Sequence, residues 1–111
     1  MSVSVKIEGN KKLAKALAKR GKLLEVKQAV RTAGKEMERV AKRKVPVKTG
    51  KLKGSITGQA SDFRYELTAG EKYAQYVEFG TKKHGRAQPF MRPAQLAGGV
   101  KFDKELRKLI S

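Results

Sequence analysis

The chain has no cysteine, a single histidine, three prolines and only seven aromatic residues among 111 positions. Without cysteine there is no disulfide framework, no thiolate metal site and no cysteine nucleophile. That suits a reducing compartment, or an assembly that never relies on bridges, without proving either. The lone histidine, His84, sits between Lys83 and Gly85. Acid–base catalysis needs a positioned partner, and the sequence offers none, so His84 reads as a solvated loop residue. No apolar run approaches the length of a membrane helix, and the opening MSVSVKIEGN carries no apolar stretch of signal-peptide length. No membrane partner, metal or cofactor is expected. Hydrophobic content of 39% and aromatic content of 6% bound a modest core. This is enough for one domain over residues 1–111, with oligomerisation as a source of further stability.

Acidic residues are also scarce: 10 against 27 lysines and arginines, a formal charge of +17. The imbalance lies mostly in residues 1–54, with 17 basic and 4 acidic side chains, against 10 and 6 in residues 55–111. Such a charge favours nucleic acid, acidic protein surfaces or anionic lipid. It equally describes a self-repelling, solvated lysine surface, and composition does not separate the two.

Alternation over SVSVKIE (2–8) puts Val3, Val5 and Ile7 on one face of a short strand, and Asn10 is placed to cap the helix after it. Leu13 and Leu17 mark that helix as a short one, which Gly21 breaks or bends. A longer helix is predicted from about Leu23 to Lys44. Its apolar arc holds Val26, Ala29, Val30, Ala33, Met37, Val40 and Ala41, and its far side carries Lys27, Arg31, Lys35, Arg39 and Lys42. Gly34 inside it implies close packing or a local bend, and Pro46 stops it with Val45 in an extended exit. Weak alternation in KLKGSITGQ, with Leu52 and Ile56 inward, and clear alternation in FRYELTAG predict an antiparallel hairpin joined around residues 59–62. Gly54 and Gly58 suggest a bulge or a close approach of another backbone. Residues 73–80 have helical spacing ended by Gly80, although a strand with Tyr73, Val77 and Phe79 inward also fits. A basic loop comes next over 81–89, and Phe90 and Met91 re-enter the core. A last helix opens near Pro93, with Val100, Leu106, Leu109 and Ile110 on its apolar side and Gly98-Gly99 weakening its first half.

The chain carries no complete catalytic motif. Lys48-Thr49-Gly50 occurs in penicillin-recognising enzymes, but the Ser-x-x-Lys nucleophile they need is absent. The Gly-Lys pairs at 21, 34 and 50 build no phosphate-cradling loop. Asp62, Glu66 and Glu71 have no metal-site or acid–base spacing. A small basic ribonuclease using Tyr76, Lys82, Lys83, His84 and Arg86 is the weakest reading. A basic nucleic-acid-binding module is a better one, resting on the helix stripe and on non-specific phosphate contacts alone. No stacking platform or base-reading motif stands out.

Three stretches together carry a resemblance: AKRKVPVKTGKLKGSI (41–56), YAQYVEFGT (73–81) and AQPFMRPA (87–94). In this order and spacing the chain resembles the tail-completion or head–tail joining proteins of long-tailed double-stranded DNA phages and prophages. The matching residues are Pro46, Thr49, Gly50, Leu52, Ser55, Tyr73, Ala74, Tyr76, Glu78, Phe79, Gly80, Thr81, Gln88, Pro89, Phe90, Arg92, Pro93 and Ala94.

The resemblance implies an α+β domain, with a long N-terminal helix packed on a small antiparallel sheet and a short C-terminal helix. It implies a structural virion protein rather than an enzyme. That protein would assemble as a ring of its own copies, often six, between head connector and tail tube proteins, and would reside in the neck or tail end after assembly in the host bacterial cytoplasm. Most matching residues read as fold-defining, with Ser55 and Thr49 satisfying backbone groups at a turn and Glu78 pairing with Arg92 as a surface ion pair. On this reading Tyr76, Val77 and Phe79 anchor one end of the 81–89 loop and Phe90 the other. Thr81, Lys82, Lys83, His84, Gly85, Arg86 and Gln88 then reach a subunit or partner. The stripe Lys27, Arg31, Lys35, Arg39, Lys42 faces an acidic partner protein, or makes transient contact with DNA.

Overall fold

The computed structural model describes residues 2–7, 9–46, 50–61, 63–82 and 85–110. Strand β1 (Val3–Lys6) leads through Asn10, whose side chain accepts a hydrogen bond from the Leu13 N–H (3.3 Å), into helix α1 (Lys11–Leu17). The chain kinks within Ala18–Lys22, where Arg20 and Gly21 leave helical conformation, the latter at φ 91°. Helix α2 (Leu23–Lys44) begins beyond the kink. All seven apolar positions read from its periodicity are buried, and Val45 leaves it in extended conformation before Pro46.

One turn of helix, α3 (Lys51–Gly54), precedes strands β2 (Ile56–Ser61) and β3 (Arg64–Ala69). The alternation seen from Lys51 therefore starts a strand only at Ile56. Leu52 and Ile56 are both inward, as expected, and the Ser55 hydroxyl donates to the Leu52 carbonyl (2.7 Å). The three strands form an antiparallel sheet in the order β1-β3-β2, with Val5 opposite Leu67 and Gly58 opposite Leu67 on the other side. The hairpin loop is shorter than predicted, since pairing continues to Ser61 and Arg64.

Helix α4 (Ala74–Phe79) and helix α5 (Met91–Lys108) complete the α+β fold, and α5 is longer than the short helix expected. Helix α2 packs along α5 and against β2 and β3, while α5 also meets β1. The fully buried large side chains Met37, Leu67, Phe90, Met91, Phe102 and Leu106 form the centre. Each contributes about 1.5–3 kcal/mol by leaving water.

Two glycine contacts set the layer spacing. The Tyr65 ring on β3 lies against Gly34 of α2 on one side and Gly58 of β2 on the other, so a Cβ at either glycine would enter the ring. This is close packing, and α2 does not break at Gly34. Burial first, then Glu38, whose carboxylate accepts from the phenol (3.4 Å), pushes the Tyr65 hydroxyl's pKa up. In α5, Gly98 faces Met37, and the buried face is Met91, Ala94, Gly98, Phe102 and Leu106. Val100 was expected inward but is exposed, as is Ile110. At about 100° per residue Val100 falls opposite Met91 on the helix.

Candidate assembly interface

Helix α4 has two unlike faces. Ala74 and Glu78, four apart, point into the protein, with Val77 partly buried beside them. Tyr73, just before the helix, and Tyr76 and Phe79 within it recur at intervals of three and point outward, with exposures of 36%, 46% and 73%. Tyr76 and Phe79 were expected as core anchors of the adjoining loop. Val77 and Phe90, the other two expected anchors, do hold that place. Three of the chain's seven aromatic residues thus stand within residues 73–79 facing water, although aromatic side chains are the largest apolar groups a small domain has to bury.

Glu78 explains why the helix is oriented this way. Its side chain is 4% exposed, and its carboxylate caps α5. Oε1 accepts from the N–H groups of Phe90 (2.9 Å) and Met91 (2.8 Å), and Oε2 accepts from that of Arg92 (3.0 Å). A helix begins with four N–H groups that lack intrahelical partners. Here three meet one carboxylate, and the fourth position is Pro93, which has no N–H. The negative charge also meets the positive end of the α5 dipole. The expected surface ion pair between Glu78 and Arg92 is therefore corrected: the bond runs to the Arg92 backbone, and the Arg92 side chain is exposed.

Gly80 closes α4 at φ 72° and turns the chain back. A Cβ there would come within 2.6 Å of the Ala87 nitrogen, so glycine is required both for the dihedral and for the close return. The segment after it was expected to lack secondary structure. Thr81 and Gly85 exchange two backbone hydrogen bonds (3.1 and 3.0 Å), and the Gln88 N–H donates to the Val77 carbonyl (2.7 Å). The described residues on the segment's two sides are thus bridged to each other, at Thr81 and Gly85, and tied back to α4 at Gln88. Thr81 is half-buried, and Lys82, Gly85, Arg86 and Gln88 are exposed there. Lys83 and His84 lie outside the described residues, as do Thr49 of the Pro46–Gly50 turn and Asp62.

The five-residue basic stripe is not uniform. Arg39 makes a bidentate pair with Glu36 (3.1 and 2.7 Å), and Lys42 pairs with Glu38 (2.9 Å). The Arg39 hydrogen bonds hold the Glu36 carboxyl below its usual range. Lys27 and Arg31 line two shallow grooves, one shared with Lys35, Leu24, Gln28 and Thr32 along α2 and one with Ala60 and Ser61 of β2. Among the described residues no cluster of three or more histidines and carboxylates has the makings of a metal site, and no helix is long and apolar enough to cross a membrane.

The family model described as "Bacteriophage HK97-gp10, putative tail-component" matches residues 7–80, about two-thirds of the chain, and the chain belongs to that family of phage tail components. The match spans the β2–β3 hairpin, α2 and the whole of α4. No curated protein and no solved structure matches the chain.

Proposed function

We propose that this tail component completes the tail and joins it to the head by assembling as a ring of its own copies between head connector and tail tube proteins. The observation that carries the reading is the outward aromatic face of Tyr73, Tyr76 and Phe79, beside the bridged residues Thr81 and Gly85. Exposed aromatics clustered on one rigid element are what interface cores are made of. A chain of charge +17 repels its copies, so self-association needs surfaces of low charge. Helix α4, which has no basic residue, offers one, and the exposed Leu96 and Val100 on α5 form a second, different apolar patch among Arg92, Lys101, Asp103 and Lys104. Two unlike patches on one chain suit a head-to-tail contact, which closes into a ring when its rotation permits. The role is architectural, without catalysis or cofactor, at the neck or tail end of the virion, after assembly in the host cytoplasm.

Sedimentation velocity tests the reading. The wild-type chain is expected to form a closed oligomer of fixed mass as concentration rises. Tyr76→Ser and Phe79→Ser are each expected to weaken assembly at least about tenfold, the minimum for a buried aromatic anchor, with unchanged circular dichroism. Variants that assemble as the wild type does would refute it. The runner-up, a basic nucleic-acid-binding module, draws on the Lys27–Arg31–Lys35 groove. Gel retardation of unrelated duplexes with a steep salt dependence would favour it.

A further inference from the structure

The sheet has two edges, and they are treated differently. At β1, Gln95 of α5 donates its amide to the Lys6 carbonyl (2.9 Å), and α5 packs alongside. At β2 no described strand pairs on the outer edge, and five of its six residues are exposed. The ladder determines which backbone groups point outward. Tyr65 turns its carbonyl to the Ile7 N–H on the β1 side (3.0 Å), so its partner across the hairpin, Ala60, directs its own N–H and C=O away from β3. Gly58 and Ile56 do the same by alternation. Sheet edges are ordinarily blunted by charged residues, proline or bulges. The β2 sequence, ITGQAS, has no charge and no proline, and its register with β3 is unbroken.

The side chains around this edge specify what fits it. Ala60 lies opposite the buried Tyr65, hence on the α2 side of the sheet, where Lys27 and Arg31 form one groove with Ala60 and Ser61. A strand added to β2 would place every second side chain in that groove, about 6.8 Å apart. Lys27 and Arg31 stand one turn apart on α2, about 6 Å along the axis. We infer that the β2 edge and the Lys27–Arg31 groove together bind an extended segment of another protein that carries carboxylates at alternate positions, adding it as a fourth strand. A second copy of this chain does not fit, because it would bring two such basic rows together. A nucleic acid would use the cations but leave the alternating donors and acceptors of the edge unanswered. The inference is independent of ring formation.

The test uses the intact, ¹⁵N-labelled chain and a decapeptide of alternating threonine and glutamate. Amide exchange at Gly58 and Ala60 is expected to slow at least about tenfold on binding, with affinity falling as salt rises. Ala60→Pro, tolerated at an edge, is expected to abolish binding and leave the folded spectrum intact. Lys27→Glu with Arg31→Glu is expected to shift preference to the matching threonine–lysine peptide. Absence of protection, equal binding of the lysine peptide by the wild type, or β2 amides protected by self-association alone would each overturn the proposal. So would a single-stranded oligonucleotide that outcompetes the peptide without protecting Gly58 and Ala60. Ring formation, read by sedimentation, stands or falls separately from each of these outcomes.

Discussion

Replacing Glu78 with alanine is expected to destabilise the protein by about 3–5 kcal/mol, the cost of removing one partner from a buried charged hydrogen-bond set. The groups left behind set the magnitude. The carboxylate is 4% exposed and accepts from the N–H groups of Phe90, Met91 and Arg92. Phe90 and Met91 are themselves fully buried, so water does not readily replace the lost oxygen atoms. The thermal midpoint should fall by more than about 10 °C for a domain of this size. Glu78→Gln retains one acceptor and loses the charge, so about half the loss is expected, or about 2 kcal/mol. Arg92→Ala provides the decisive contrast. Were Glu78 in a surface ion pair with the Arg92 side chain, both substitutions would cost at most about 1 kcal/mol. With the backbone as partner, Arg92→Ala is expected to be neutral within about 0.5 kcal/mol. Matched thermal and urea denaturation of the three variants decides between the two accounts.

Gly34→Ala should lower stability by about 2–3 kcal/mol, although alanine is the better helix former by about 1 kcal/mol. On propensity alone the substitution would stabilise α2. Packing reverses the sign, because the new methyl group enters the Tyr65 ring. The ring has no escape toward the sheet, where Gly58 already lies against its hydroxyl end. In a Tyr65→Leu background the same substitution is expected to lose most of its cost, and urea titration of the double-mutant cycle measures the coupling directly. If Gly34→Ala stabilises the otherwise unaltered chain, Tyr65 does not set the spacing between helix and sheet.

These two sites mark where sequence reading reaches and where it stops. Helix α2 was fully legible, because seven apolar residues recur at helical spacing and Pro46 ends the pattern. The strands were legible from alternation, least sharply at β2, where α3 occupies the positions before Ile56. Helix α5 was misjudged on its apolar side because Gly98 reads as a weak point. In place it is the close contact with Met37 at the middle of the buried face. The aromatic residues of α4 were assigned to the core because large apolar groups usually go there. What decides their direction is Glu78, twelve to fourteen residues before its partners, and no periodicity encodes a bond from a side chain to a distant backbone. The spacing of Ala74 and Glu78 was the available sign: a small residue and a carboxylate four apart put the three aromatics on the opposite side. Likewise, the stripe on α2 was legible as a row of cations, but not the pairing of Arg39 with Glu36 and of Lys42 with Glu38.

The central claim is that the α4 aromatic face and the turn beside it are covered when the tail component assembles. Because the chain has no cysteine of its own, a single Lys82→Cys substitution in the turn gives a clean reporter, with Lys12→Cys on α1 as a second site. The measurement is the rate of maleimide labelling in the isolated chain and in assembled tails. Labelling at position 82 is expected to slow at least about tenfold on assembly, as for a side chain enclosed in an interface core. Equal labelling rates at position 82 in free and assembled protein would contradict the account.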